Sequence, residues 1–160
     1  MTTNPVDETP VSGDWVGDDA VGKATVRLAF PPQARLLGTI RLVVGIVARK
    51  AGIDEEGIED LKVAVSETCA VAVADLARAG LSSPIELDLI EDGERFGVEI
   101  RDRAPVDGRK LGGFDMDDLD DRQFGLALVG ALVDDLDSAP LEDGGHRTSF
   151  WVRGPAGTAE

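Results

Sequence analysis

The 160-residue sequence is short of the residues that carry several kinds of chemistry. It has one cysteine, one histidine and no tyrosine, and its 31 acidic residues outnumber 16 basic ones. A single cysteine excludes an intramolecular disulfide and fits a reducing compartment. A net charge of −15 repels phosphate backbones, which argues against direct nucleic-acid binding. What is left is an acidic globular protein, long enough for one domain and able to dock on basic protein surfaces.

Long apolar runs are missing as well. No stretch approaches the about 18 residues of a transmembrane helix. The first residues, MTTNPVDETPVSGD, are polar and acidic and do not resemble a signal peptide. We therefore expect a cytoplasmic protein with a disordered acidic tail over 1–22, a folded domain over 23–154 and a short tail over 155–160.

The first half of the domain predicts one strand and two helices. ATVRLAF alternates and stops at two prolines, which is typical of an edge strand. A first helix ends at Gly52, and its broad apolar face contains Leu36, Leu37, Ile40, Val44, Ile46 and Val47. A second helix begins after the N-cap Asp54 and runs to about Ala79. Its buried stripe is Ile58, Leu61, Val65, Cys69, Ala72 and Leu76.

The second half predicts two hairpins around a third helix. IELDLI and RFGVEIRD are separated by EDGE, and DLDSAP leads through LEDGG to HRTSFWVRG. QFGLALVGALV predicts a short apolar helix over 123–133, after a loop rich in glycine, proline and aspartate. This order indicates a two-layer α/β sandwich, in which helices cover one face of a mixed, mostly antiparallel sheet.

Three polar residues in this pattern are candidates for chemistry. Glu67 is a lone carboxylate in SETCAVAV, and Val71 lies one helical turn after it on the same face. Either Glu67 is a solvated charge at the edge of the core, or it belongs to a site whose second member is missing. Cys69 has small apolar neighbours that favour a buried, inert thiol. His146 has no second histidine or nearby cysteine, so a metal site there is not expected.

The stretch IRLVVGIVARKAGIDEEGIEDLKVAVSETC resembles the RsbW-type anti-sigma factors, which are serine protein kinases of the histidine-kinase-like (GHKL) ATPase superfamily. VEIRDRA, QFGLALVGALVDDL and RTSFWV follow in the expected order, so the resemblance spans about 24–153. It implies the Bergerat fold. It also implies a homodimer that sequesters a sigma factor, phosphorylates an anti-anti-sigma antagonist with ATP and magnesium, and loses the sigma factor to the unphosphorylated antagonist.

The resemblance assigns Glu67 as the general base and puts Val71 where the family has a magnesium-binding asparagine. Valine has no oxygen for a cation that needs near-octahedral oxygen ligands. The glycine boxes are altered too. Asp102 occupies the adenine-reading position, where a turn role is the alternative, but Ala104 replaces the following glycine.

In the second glycine box only Gly125 remains, and we expect Arg122, Gln123 and Phe124 to crowd the phosphate position. Arg122 pairing with a phosphate is the alternative. Thr148 lies near a nucleotide-contacting threonine of the family. Outside the nucleotide boxes, Arg41 matches an arginine that contacts sigma factor and antagonist. DMDDLDD matches the ATP lid, and is either a solvated loop or an acidic patch for a basic partner.

Three hypotheses follow. The first is an anti-sigma factor that acts by binding, without effective ATP binding or metal. The second is an active serine kinase that uses Glu67 as base, Asp102 on adenine and Asp120 or Asp121 on magnesium. The third is a dimeric scaffold of the same fold that has changed partners.

Overall fold

The computed structural model describes residues 24–105 and 121–154, without the side chains of 24 and 121–123. The acidic tail over 1–22 and the acidic run DMDDLDD up to Asp120 therefore lie outside the described residues. The described strands and helices follow in the order β1 Ala24–Phe30, α1 Leu37–Lys50, α2 Glu55–Arg78, β2 Ile85–Glu91, β3 Arg95–Asp102, α3 Asp121–Leu132, β4 Asp134–Pro140 and β5 His146–Arg153. A 3-10 turn at Ala34–Leu36 leads into α1.

The five strands form one sheet in the order β1-β2-β3-β5-β4. All four pairings among these described strands are antiparallel, so the expected mixed sheet is corrected to an antiparallel one. β1 is the first described strand and lies at one edge of the sheet, as predicted, and it ends at Phe30, directly before Pro31-Pro32. The predicted third helix begins at Asp121, two residues earlier than expected, and ends at Leu132.

The helices pack on one face of the sheet and close an apolar core. The predicted stripe of α2 is fully confirmed, since each of its six residues is buried. On the sheet, the side chains that face the helices are buried, among them Leu87, Leu89, Phe96, Val98, Ile100 and Phe150. None of the helices in the described residues is long and apolar enough to cross a membrane.

The opposite face of the sheet carries an ionic network instead of helices. Arg101 lies 2.9 Å from Asp88 and also contacts Glu99 on its own strand. Arg27 on the edge strand lies 3.6 Å from the same Asp88. The acidic side chains of this face are therefore neutralised within the domain.

Both long helices end where the sequence predicts. Gly52 and Gly80 have φ of +84° and +67°. The next residue after each glycine donates its N–H to a carbonyl five residues back, from Ile53 to Ala48 at 3.1 Å and from Leu81 to Leu76 at 2.9 Å. This is the Schellman arrangement, which needs a left-handed residue, and glycine takes that conformation without strain.

The core does not cover all of the predicted apolar face of α1. Ile40, Val44 and Ala48 are buried against the rest of the domain. Ile46, however, is 50% exposed, and Leu42 one turn before it is 62% exposed. The apolar residues of α1 extend around more of the helix than the core covers, so α1 presents a second apolar face to solvent.

Candidate functional site

The candidate site begins with two half-buried side chains on α2. Asp54 caps the helix by accepting a hydrogen bond from the Gly57 N–H at 2.8 Å, and the first turn is acidic. Such a start is favourable because a helix N-terminus attracts negative charge. Glu67 and Val71 then lie one turn apart at the edge of the core. The predicted face with one carboxylate and one aliphatic side chain is therefore present.

Glu67 is directed at α3. A Cβ atom placed on Gly125 would lie 2.8 Å from the Glu67 Oε2 atom, closer than van der Waals contact permits. Gly125 is buried in the first half of α3. Gly125 therefore has a local reason to be glycine, since it leaves room for the Glu67 carboxylate.

Asp102, at the end of β3, is held in a turn. One of its carboxylate oxygens, Oδ1, accepts a hydrogen bond from the Ala104 N–H at 2.8 Å and lies 3.7 Å from the Nδ1 atom of His146. Ala104 itself is fully buried in the core. Of the two roles open to Asp102, the geometry shows the turn role directly. The oxygen expected to read adenine already has protein neighbours.

Thr148 lies on β5, two residues after His146 and on the same, helix-facing side of the sheet. Its Oγ1 atom is 3.2 Å from the Oγ atom of Ser138 on β4, and its side chain is buried. The hydroxyl therefore has a hydrogen-bonding partner within the sheet. A nucleotide contact is not needed to satisfy it.

Cys69 lies beneath this region on α2 and is buried. Burial, with the negative charge of Asp102 as the second cause, raises the pKa of its thiol to about 12. The thiol is thus protonated at neutral pH and unsuited to nucleophilic chemistry. This confirms the expected inert cysteine and shows that the end of β3 lies close to the middle of α2.

The structure does not bring all predicted site residues together. Arg41 is exposed on α1, and its guanidinium runs back along that helix, 3.9 Å from where a Cβ of Gly38 would lie. Phe124 is 64% exposed at the start of α3, and its expected crowding of the phosphate position stays a prediction. The side chains of Asp121, Arg122 and Gln123 lie outside the description, and their predicted roles stay predictions.

Sequence reasoning missed two contacts of this site, Ser138 with Thr148 and His146 with Asp102. The signal for the second is the Gly144-Gly145 pair before His146. Gly145 has φ of +100°, and a Cβ on it would lie 2.0 Å from the Asp102 carbonyl oxygen. Two glycines at this turn let β5 start directly beside the end of β3.

The donor set for a metal is small. Among residues 24–105 and 121–154, no group of three or more histidine, cysteine, aspartate or glutamate side chains is arranged to hold a metal ion. At the site itself, α2 offers one carboxylate and one aliphatic side chain.

A family model described as the histidine kinase-like ATPase domain matches residues 30–151. Three curated relatives are named serine-protein kinase RsbW. The one from Halalkalibacterium halodurans is 28% identical over 121 residues, 69% of this chain and 72% of the relative. The one from Oceanobacillus iheyensis is 30% identical over 130 residues, 69% of this chain and 76% of the relative. One from Bacillus licheniformis is 34% identical over 101 residues, 63% of this chain and 57% of the relative.

Proposed function

This chain belongs to the histidine kinase-like ATPase family, and from that premise we propose that it is an anti-sigma factor of the RsbW type. In this proposal it binds and sequesters a sigma factor, and an anti-anti-sigma antagonist reverses the binding. It acts without effective ATP binding or phosphoryl transfer. The observation that carries the proposal is the free face of α1, where Arg41 lies beside the exposed Leu42 and Ile46.

That face has the composition of a protein interface. Leu42 and Ile46 are spaced four residues apart, so they form one apolar strip on the outside of the helix. Arg41 has no described carboxylate within 4.0 Å. Arginine next to exposed apolar groups is enriched where partner proteins bind most strongly. An adjacent apolar pair of this kind is also a liability unless a partner covers it.

The candidate nucleotide site fits a magnesium triphosphate poorly. Val71 gives no oxygen to a cation that prefers oxygen ligands, and phosphoryl transfer depends mainly on positioning and charge neutralisation by that cation. Ala104 puts a methyl group into the core where the family has glycine. Asp102 already accepts the Ala104 N–H. These three features act on the same ligand, and together they support weak or absent ATP binding.

The proposal includes a homodimer, as the resemblance to the RsbW type implies. Sedimentation velocity over a range of concentrations tests this part. A mass twice that of one 16.9 kDa chain supports it, and a single-chain mass throughout removes it. The anti-sigma role itself does not depend on the result.

The direct test of the anti-sigma role is co-purification of the tagged full chain from its host, followed by identification of bound proteins and reconstitution with each purified candidate. We expect a sigma factor or an anti-anti-sigma antagonist at stoichiometric amount. Recovery of neither, with reconstitution failing for all the host's sigma factors, would contradict the proposal. A specific complex with another class of protein would instead support a scaffold that has changed partners.

One observation favours a second candidate, an active serine kinase. The Glu67 carboxylate is held against α3 beside a glycine that makes room for it, which is the position expected of a general base. Incubation with γ-labelled ATP, magnesium and purified antagonist distinguishes the two. Transfer of label that Glu67→Gln abolishes would establish the kinase. Absence of label at high protein concentration leaves binding as the function.

A further inference from the structure

Some basic side chains of this acidic protein form ion pairs with carboxylates among the described residues, and others do not. Most of those in the described residues pair with an acid, as Arg49 does with Glu55 at 3.1 Å and Arg103 with Asp143. Four of them have no described carboxylate within 4.0 Å, namely Arg35, Arg41, Lys50 and Arg153. Three of these four lie on α1 or on the turn that leads into it.

The same segment lacks acidic residues altogether. Residues 34–50 read ARLLGTIRLVVGIVARK, with no aspartate or glutamate, in a chain whose acids outnumber its bases by 31 to 16. Leu42 and Ile46 are exposed within it. We call this surface, made of Arg35, Arg41, Leu42, Ile46 and Lys50, the α1 face. It is basic and apolar, so it suits an acidic segment with an apolar anchor.

The chain contains a segment with that composition. Residues 1–22 carry five acidic residues and no basic one, and Trp15 lies among them between Asp14 and Asp18. A tryptophan flanked by carboxylates complements a strip of leucine and isoleucine flanked by arginine and lysine. Among the described residues no other surface combines unneutralised bases with exposed aliphatic side chains in this way.

The length of the segment is sufficient. Trp15 precedes Ala24, the first residue of β1, by nine residues, which span at most about 30 Å when extended. A domain of this size has a radius of gyration of about 14 Å. β1 is the edge strand, and α1 follows it after a short turn. A tether this short gives an effective concentration in the millimolar range, so weak contacts are enough for substantial occupancy.

We propose that the acidic N-terminal segment around Trp15 docks on the α1 face of its own chain and competes there with protein partners. The docking is intramolecular, electrostatic and reversible. The docking itself does not require the anti-sigma function; its regulatory meaning rests on the proposed use of α1 for partner binding. A partner must then displace the segment, which lowers partner affinity without any change in the interface.

The experiment uses the full chain with a nitroxide spin label at Ser12→Cys. Native Cys69 does not compete for the label, because it is buried and the pKa of its thiol is about 12. Paramagnetic broadening of backbone amide signals is then read across the domain. We expect it to concentrate on α1, to disappear in 1 M salt, and to disappear in the variant D14N/D18N/D19N.

Matched variants on the folded surface sharpen the result. Arg41→Glu should remove the broadening. Arg153→Glu should leave it unchanged, because Arg153 also has no described carboxylate within 4.0 Å but lies on β5. Ile46→Asp should remove it and Leu81→Asp should not, since both residues are exposed apolar side chains. The tail variants change only residues that precede β1. They therefore still test the proposal if one of the variants on the folded surface fails to fold.

Broadening that is spread over the surface, or that persists at high salt, overturns the proposal. A mixture of isotope-labelled chain and separately spin-labelled chain tests for docking between copies. Broadening of α1 in that mixture overturns the intramolecular form. With a purified partner, D14N/D18N/D19N should bind about threefold to tenfold tighter than the unmodified chain. Docking seen by broadening, with no sigma factor bound, would retain this inference and reject the proposed function.

Discussion

Two regions of this protein differ in whether their polar and apolar side chains already have partners within the domain. At the candidate nucleotide site, the residues that the resemblance to the RsbW type assigns to ATP or magnesium have partners within the domain or carry no oxygen. The Asp102 carboxylate accepts a hydrogen bond from the Ala104 N–H, and the Thr148 hydroxyl is within hydrogen-bonding distance of the Ser138 hydroxyl. Val71 has an aliphatic side chain. On the α1 face, Arg41 has no described acidic neighbour, while Leu42 and Ile46 are exposed to solvent.

This difference indicates which of the two surfaces can still gain free energy by binding a partner. Exposed aliphatic groups gain free energy when a partner covers them, and an arginine without an acidic neighbour can pair with a carboxylate of the partner. Groups that are already hydrogen-bonded within the domain must first give up those bonds. This distribution supports the proposed binding of a partner protein and the proposed weakness of ATP binding. Each of the following changes tests one side of that comparison.

The largest effect is expected from charging the apolar strip of α1. The double variant L42D/I46D should weaken binding of a reconstituted sigma factor or antagonist at least about 100-fold, because hot-spot residues each contribute about 2 kcal/mol or more. Titration calorimetry with the purified partner measures this. Leu81→Asp is the control, since Leu81 is also an exposed apolar residue but follows α2. Equal losses in both variants would show that α1 is not the docking face.

A change of pH tests whether water is excluded from the buried Cys69 thiol, which lies beneath the candidate nucleotide site. Because the pKa of Cys69 is raised to about 12, the folded chain keeps the thiol proton that the unfolded chain loses above about pH 8.5. The stabilisation is fully present below that value and is lost as pH rises toward 12. Between pH 8 and 10 we expect a loss of about 2 kcal/mol in the free energy of unfolding from this group.

Chemical denaturation across that range measures the loss, and Cys69→Ala should lack this part of the slope. The absence of tyrosine removes another group that titrates near pH 10. Identical slopes in the two proteins would mean that water reaches the thiol, and that the packing beneath the site is looser than described.

Arg41→Ala should weaken partner binding about tenfold, the range typical of an arginine at an interface. The matched control is Arg153→Ala, because Arg153 is also exposed and without a described acidic neighbour, but lies on β5. Surface plasmon resonance against the immobilised partner gives both values in one series. If Arg153→Ala matches Arg41→Ala, the effect reflects overall charge instead of a contact on α1.

The smallest expected effect is a gain at the nucleotide site. Val71→Asn would supply an amide oxygen at the proposed magnesium position and should raise Mg-ATP affinity about fivefold, because Ala104 and the turn at Asp102 still oppose binding. Val63→Asn, an exposed position two turns earlier on α2, is the control. Fluorescence titration with a labelled nucleotide follows the change. Restoration of tight binding by this change alone would show that only the metal ligand had been lost.

Much of the fold was predictable because local patterns and core packing agree. The stripe on α2, the ends at Gly52 and Gly80, and the two hairpins follow from periodicity and turn chemistry. The exposure of Ile46 was not predictable. Periodicity shows that a side chain is apolar, and only the tertiary structure shows which of two apolar faces is covered.

At the candidate site, residue types were predictable and contacts were not. The aliphatic side chain of Val71 is visible in the sequence, and it follows from chemistry that this side chain offers no oxygen to magnesium. The contact of Glu67 with Gly125 and the pairing of Ser138 with Thr148 depend on helix packing and strand register, which bring together residues far apart in the chain. The exposure of Phe124 was not predictable either, because a bulky side chain at a helix start can pack inward or turn to solvent.

The most direct test of the central claim is isothermal titration of the unmodified full chain with Mg-ATP at the highest soluble protein concentration. The claim predicts no saturable heat up to millimolar nucleotide, with or without magnesium, from protein that binds its partner in a parallel titration. Stoichiometric binding at micromolar nucleotide that is lost when magnesium is removed would contradict it.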